Sequence, residues 1–403
     1  MPTAVDLFCG AGGLAAGFGR CEIEVVLASD CWRPAADTYR ANFPGHRFAE
    51  VDIRDLDAAT IRAAHGGRSP DIVAGGPPCQ GFSSAGARAV GDHRNTLVGC
   101  YARLAAELRP AVVVFENVEG FLTAEAGKYV QDLLDPLVEA GYTIRIAKLN
   151  VANYGVPQLR KRVIGIASLQ RIPESLVPTH SAHGAPGVWR VGHGRPRTAT
   201  LAEVLALPLS GQDRLAEIRW PTGIEKRRIE ALRQGQTMRD LPDELRHVSY
   251  HARAHRRVCD GTPTDRRGGP PAGLRRLVAD EPSKAITGAA TREFVHPTQN
   301  RTLCLREAAN IQTFPGDFQF LGTKADIATL IGNAIPPVFA AALARAALDT
   351  LAQSPDAGVS PGLVEFLATN ATAMSPLLAR VVAMVRDRYL PRAATPTLLP
   401  ATR

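Results

Sequence analysis

Seven short β-type runs punctuate the first 168 residues: TAVDLF, EVVLAS, RFAEVD, DIVAGG, AVVVFEN, TIRIAKLN and VIGIAS. Helical stretches such as RPAADTYRANF and NTLVGCYARLAAEL lie between them, the latter stopped by Pro110. This alternation constrains the chain more than any other feature, because strands spaced by helices build a parallel sheet covered on its faces. It predicts a doubly wound α/β domain over residues 1–175.

The pattern changes from about Pro178 to Gln299, where Pro, Gly, Arg and His are frequent and both periodicities weaken. A second, smaller domain is expected over 176–300. The chain carries 47 basic and 39 acidic residues, a net +8. Ser181 to Arg292 alone holds 20 Arg or Lys against 12 Asp or Glu, which is also +8. A basic insertion in a neutral scaffold points to a polyanion partner. The text then returns to the first pattern: TLCLREAANIQTFP reads as a helix ending in a turn, and NAIPPVFAAALARAALDTLA as a turn and a helix. These make 301–352 a closing part of the first domain. Residues 353–403 open with the linker SPDAGVSPG and continue as one amphipathic helix interrupted at Pro376, with no assigned role.

With 45% hydrophobic and 21% charged residues the chain is expected to fold on its own. MPTAVDLFCG lacks the basic and apolar regions of a leader, and no run reads as the roughly 18 apolar residues of a membrane span. A cytoplasmic location is expected. Seven cysteines, an odd number without a CxxC pair, suit free thiols better than a disulfide framework or a structural zinc site.

The first strand runs into DLFCGAGGL, where glycines 10, 12 and 13 let the backbone turn tightly and offer N–H groups to a ligand. The second strand ends at Asp30, placed to accept two ribose hydroxyls, and the third at Asp52, placed to accept from an adenine amine. Such strand ends form the crevice in which open α/β sheets bind ligands. An adenosine-bearing cofactor suits it, although either Asp alone could simply cap the following helix.

GGPPCQGFS sets Cys79 after the fourth strand, its approach fixed by Pro77 and Pro78 and its exit freed by Gly81. FENV ends the fifth strand and brings Glu116 to the same edge. QLRKR offers Gln158, Arg160 and Arg162 at alternate positions, so an extended chain puts both guanidinium groups on one face.

DLFCGAGG, GGPPCQGFS, FENV, QLRKR, LREAANIQTFP and IGNAIPP occur in that order and closely resemble the motifs of the DNA (cytosine-5-)-methyltransferases of bacterial type II restriction-modification systems. The resemblance covers about residues 1–175 and 296–345, and the basic insertion falls where that family carries its target recognition domain. It implies a Rossmann-like, S-adenosylmethionine-dependent methyltransferase sheet acting on double-stranded DNA.

The resemblance also implies roles. Cys79 adds as a thiolate to carbon 6 of a flipped-out cytosine, making carbon 5 nucleophilic towards the methyl of S-adenosylmethionine. Glu116 contacts ring nitrogen 3 and the exocyclic amine, preferably as a protonated acid, while Arg160 and Arg162 assist at the base carbonyl. Phe8, Gly10, Gly12, Asp30, Asp52, Pro78, Leu97 and Asn333 line the cofactor site. Ser83 and Arg94 belong to the Gly/Ser-rich lid after Cys79. The chain departs from the family at Asp30, where Glu is common, at Cys31, where a larger apolar residue often packs on adenine, and at Asn310, where Arg is usual.

Contacts to DNA are expected from Gln158, from Lys226, Arg227 and Arg228, and from the pairs Arg266, Arg267 and Arg275, Arg276. His247, His251, His255 and Cys259 repeat every four residues, but ligands strung over three helical turns do not converge on one tetrahedral metal. No metal is expected. A monomer suffices for one active site, and a restriction endonuclease reading the same sequence is a possible partner. Two alternatives stand beside this reading: a transfer RNA cytosine-5 methyltransferase of the same fold, and a DNA-binding regulator that has lost catalysis.

Overall fold

The computed structural model describes residues 1–78, 96–181, 194–247, 273–356, 358–359, 361–367 and 375–389. Cys79, Ser83, Arg94, Arg266, Arg267, His251, His255 and Cys259 lie outside the described residues.

All seven expected strands form. In chain order the first part runs β1 (Thr3–Leu7), α1 (Gly13–Gly19), β2 (Glu24–Ser29), α2 (Arg33–Asn42), β3 (Phe48–Ala49), α3 (Ala58–Ala64), β4 (Ile72–Gly75), α4 (Thr96–Leu108), β5 (Val112–Val118), α5 (Lys128–Glu139), β6 (Thr143–Asn150) and β7 (Lys161–Ser168). The insertion contributes α6 (Leu201–Leu205) and α7 (Gly223–Ala231), and the return contributes α8 (Leu305–Ile311), α9 (Lys324–Asn333) and α10 (Pro337–Ala352). The tail adds β8 (Val364–Leu367) and α11 (Pro376–Tyr389).

One eight-stranded sheet has the order β8-β6-β7-β5-β4-β1-β2-β3. Its strands are parallel except β7, which is antiparallel to both β5 and β6. The exception corrects the all-parallel expectation, and the chain explains it. β6 ends at Asn150 and β7 begins at Lys161 with no crossover helix between them, and a parallel neighbour needs a connection of a dozen or more residues.

Alternation along the strands divides the core in two. Val5, Leu7, Val113 and Phe115 face a cluster shared with α3, α4, α5 and α11. Ala4, Val112 and Val114 face the opposite cluster, covered by α1 and α10. The return segment therefore supplies a whole covering helix of the eight-stranded sheet. Its approach to α1 is backbone to backbone: a Cβ on Gly13 would fall 2.0 Å from the Ile335 carbonyl oxygen, and one on Gly17 2.3 Å from the Ala340 Cβ.

Two further expectations change. Lys324–Ala352 has the length and mean hydropathy, 1.7, of a membrane span, but 67% of that window is buried inside the molecule. It is two helices, α9 and α10, separated at Ala334–Pro336. The tail is not one interrupted helix. Its first half pairs with β6 as β8, because the open sheet edge offers hydrogen bonds that outweigh a marginal helical pattern.

The insertion is held at its base by the chain before it. Ser283–Lys284 pairs in parallel with Gln158–Leu159, and Leu201, Val204, Leu215 and Ile286 share a core with Leu303, Phe314 and Ile331 of the return. Arg306 of α8 pairs with Asp213 at 2.5 Å across this junction. Beyond it, Ile229, Leu232, Met238, Leu241, Leu245 and Leu274 form a small separate cluster.

The glycine contacts give a direct test. Gly13→Ala should lower stability by at least about 2 kcal/mol, since the opposing atom is backbone and cannot rotate away. Gly45→Ala, with open space around it, should stay within about 0.5 kcal/mol; denaturant unfolding of both variants measures the difference.

Candidate active site

The turn between β1 and α1 bends sharply. Phe8, Gly10 and Gly12 all have positive φ, of 57°, 53° and 90°. For Phe8 this is an unfavourable conformation, of the kind that persists where the surroundings fix it. Asp30 supplies part of that fixing from the end of β2. Its Oδ2 accepts from the Gly10 N–H at 3.0 Å and its Oδ1 from the Trp32 N–H at 2.9 Å. Burial raises its pKa, and the N–H groups of Trp32, Gly10 and Cys31 work the other way. Asp52 caps the 3-10 turn Ile53–Asp55 and holds Arg54 with both oxygens, at 2.9 and 2.7 Å. An adenine amine at Asp52 would share or displace that guanidinium.

Asp6 is not among the residues expected at the cofactor site, although strand alternation puts it on the same inward face as Ala4. Its side chain is fully buried and neither oxygen has a hydrogen-bond partner among the described residues. Burial pushes its pKa well up and Asp30 pushes the same way, opposed only by the nearby Ala15 N–H, which does not complete a hydrogen bond to either oxygen. A buried orphan carboxyl under a glycine turn fits a ligand that brings positive charge or N–H donors. S-adenosylmethionine brings both a sulfonium and an ammonium group. Of the other cofactor-site candidates, Leu97 is buried at the start of α4, Pro78 is half-buried and Asn333 is exposed at the end of α9.

The second half of the site gathers where β4 and β5 end and the antiparallel β7 begins. Gly75 and Gly76 let the chain leave β4 between neighbours: a Cβ on Gly75 would meet the Leu7 carbonyl oxygen at 2.7 Å, and one on Gly76 the Glu116 Oε2 at 3.0 Å. Three residues after Gly76 comes Cys79. Glu116 Oε1 pairs with Arg162 Nε at 2.6 Å, and both side chains are largely buried. In the β5–β7 register Arg162 stands opposite Val118, so Glu116 and Arg162 are diagonal neighbours on one face. Glu116 thus has one oxygen held by a cation and the other turned towards the segment that leads to Cys79.

Asn117, also unread in the sequence, ties these strands together. It is 2% exposed, its Nδ2 donates to the Pro77 carbonyl at 3.3 Å, and its Oδ1 accepts from the Val118 N–H at 2.8 Å. Successive strand residues face opposite ways, so one strand end presents Glu116 on one side and holds the approach to Cys79 with the next residue.

The two arginines of QLRKR part company instead of sharing a face. Arg160 is buried, and its guanidinium donates to the carbonyls of Ile286 at 2.6 Å, Gly332 at 2.9 Å and Ala334 at 3.3 Å. It joins the first domain to the insertion and the return, whereas Arg162 alone pairs with Glu116. Gln158 corrects a DNA-contact expectation. It is wholly buried, donates to Gln312 Oε1 at 2.6 Å and accepts from the Ile286 N–H at 3.0 Å.

Arg276 is a second correction. It is 5% exposed and donates to the carbonyls of Ile229, Leu232, His296 and Gln299 and to Asn300 Oδ1, at 2.7 to 2.9 Å. In an extended Arg-Arg pair one side chain must turn inward, and here it is this one; Arg275 is half-buried. Arg228 donates to the Leu245 carbonyl at 2.6 Å. Lys226 and Arg227 are exposed on α7, the lysine 3.8 Å from Glu230.

The sequence profile of the C-5 cytosine-specific DNA methylases matches residues 3–349. Among curated relatives, the type II methyltransferase M1.HphI of Haemophilus parahaemolyticus is 33% identical over 353 residues, 86% of each chain. M.HgiDI of Herpetosiphon aurantiacus is 34% identical over 82% of this chain and 89% of its own. M.XorII of Xanthomonas oryzae is 30% identical over 98% of this chain and 96% of its own. Among solved structures, a protein encoded within an E. coli prophage superposes with a TM-score of 0.61 at 23% identity, covering 88% of this chain and 100% of that one. Spodoptera frugiperda DNMT2 does so with 0.56 at 16%, covering 86% of this chain and all of its own. These two share the fold. With six motifs in order and a profile match over most of its length, the chain belongs to the C-5 cytosine-specific DNA methylase family.

Proposed function

We propose that this chain methylates carbon 5 of cytosine within a specific sequence of double-stranded DNA, with S-adenosylmethionine as methyl donor. The observation that carries the proposal is the Glu116–Arg162 pair at the strand ends beside Gly76, directly before the segment that leads to Cys79. When bound, the cofactor supplies a methyl group activated by its sulfonium.

The chain's own residues supply the rest. Cys79 adds as a thiolate to carbon 6 of the base, carbon 5 takes the methyl group, and loss of the carbon-5 proton then restores the 5,6 double bond and expels Cys79, as only a nucleophile that is also a good leaving group allows. Glu116 meets ring nitrogen 3 and the exocyclic amine, its carboxyl aimed by Arg162. Arg160 holds the return against the sheet and acts at a distance from the base. Asn117 and the glycine pair fix the course of the chain as far as Pro77, two residues before Cys79. Asp6, Asp30, Asp52 and the turn from Phe8 to Gly12 form the cofactor end, with Pro78, Leu97 and Asn333.

Lys226, Arg227, Arg228, Arg275, Arg266, Arg267, Ser83 and Arg94 remain the DNA contacts of this reading, and Gln158 and Arg276 leave it. Relatives named as type II methyltransferases support a protective role beside a restriction endonuclease that reads the same sequence without touching the enzyme. One active site per chain makes the monomer the working unit.

Labelled S-adenosylmethionine offered with duplex DNA and, in parallel, with transfer RNA should yield 5-methylcytosine in DNA within one short motif; label in transfer RNA alone would overturn the DNA reading. Cys79→Ser should cut turnover by more than about a thousandfold while duplex affinity holds within about twofold, read by single-turnover assay and by anisotropy. Duplex affinity should fall at least about tenfold between 50 and 200 mM salt as phosphate contacts release counterions. Affinity flat across that range would remove the basic insertion from the interface.

A further inference from the structure

The family match stops at residue 349, yet the tail beyond it is built into the catalytic core. β8 pairs with β6 in a four-residue parallel register from Val364 opposite Ile144 to Leu367 opposite Ala147. The Ile144 N–H donates to the Leu363 carbonyl at 2.8 Å, and Arg145 pairs with Glu365 at 2.7 Å. α11 lays Leu378, Val381, Val382 and Val385 into the cluster that also holds Leu97 and Tyr101 of α4 and Leu133 and Leu137 of α5. Its far end is clamped to α5: Arg388 grips Asp135 with two bonds of 3.0 and 2.8 Å, and the Tyr389 hydroxyl donates to the same carboxylate at 2.6 Å.

Beneath α11 lies a strained turn. Glu125, Ala126 and Gly127 are three successive residues with positive φ, of 43°, 55° and 91°, and only the last is a glycine. Left-handed runs of this kind are unfavourable for residues with a Cβ and persist only when neighbours hold them. The Tyr129 hydroxyl donates to Glu125 at 2.7 Å. Met384 Cε and Val381 Cγ2 each sit 3.0 Å from where a Cβ on Gly127 would be. The turn closes the stretch that begins at Glu116. Along it, Phe121 packs on Phe115 with ring centroids 5.1 Å apart, and Glu119 is paired with Lys148 of β6, the strand that β8 borders.

We propose that the tail is a brace for the active site: Val381 and Met384 pin the left-handed turn, and β8 and α11 together fix the segment after Glu116 and the seating of α5 on α4, the helix into which the Cys79 segment runs. Val381 and Met384 are positioning residues. The brace rests on the methyl-transfer reading for its consequence and on the geometry for its existence.

The test replaces Val381 and Met384 by alanine together in the full chain, with Val381→Ile plus Met384→Leu as the conservative pair and a chain ending at Ser354 as the extreme case. Amide hydrogen exchange over 119–127 should accelerate at least about tenfold in the alanine pair and return to the wild-type rate in the conservative pair. At a temperature where each variant is folded, kcat should fall at least about fivefold in the alanine pair with KM for DNA within about twofold, and the conservative pair should recover it. Unchanged exchange over 119–127 would overturn the brace whatever the activity, as would faster exchange at an unchanged kcat or a shortened chain with wild-type turnover. If the shortened chain does not fold, the two point-variant pairs decide. A full-length chain that methylates no DNA would instead defeat the methyl-transfer reading, and exchange alone would then judge the brace.

Discussion

The catalytic domain closes only because two backbones touch. Gly13 faces the carbonyl of Ile335 across a gap that would leave 2.0 Å to a Cβ, and Gly17 meets Ala340 in the same way. Those contacts join residues more than three hundred positions apart, so the sheet face between α1 and α10 is complete only after the insertion has been made. Interiors packed this densely do not deform gradually. The glycines of the first motif therefore serve two ends, a tight turn towards the ligand and a seat for the returning chain.

A buried polar network sits next to that seat and joins the same parts a second time. Gln158 bonds to Gln312, Gln312 donates to the Ile331 carbonyl at 2.5 Å, and Arg160 takes the carbonyls of Gly332 and Ala334. Burial depresses the Arg160 pKa, and Arg162 adds to the effect while Glu116 opposes it. A guanidinium placed among carbonyls instead of carboxylates is an expensive arrangement to break, because losing one partner leaves buried groups unsatisfied. It fixes the last turn of α9 relative to β7, and with it the distance between the cofactor end and the strand that carries Arg162.

Much of this architecture is legible in the sequence. The seven strands are local patterns of apolar residues, and the motif residues fall at strand ends because strand length is local too. What escaped depends on neighbours. β8 is a strand only because β6 has a free edge. Gln158 and Arg276 turn inward because the chain they meet, from Ile286 to Gln312 and from Ile229 to Asn300, is brought there by the fold. Asp6 and Asn117 are different: the alternation that identified their strands also placed Asp6 on an inward face and Asn117 opposite Glu116. Their polarity in an apolar run was the available sign.

The insertion leaves and rejoins the catalytic domain at almost the same place. Thr179 and His180 donate to the Asn153 carbonyl, Thr198 to that of Ala152, and Ser283–Lys284 lies beside Gln158–Leu159. Lengthening a loop between fixed ends costs little, since closure entropy grows only with the logarithm of length. An insert anchored on one eight-residue stretch, 152–159, can change its size and its reading residues without moving the sheet. Target choice in such a chain is free to diverge quickly while the chemistry stays where it is.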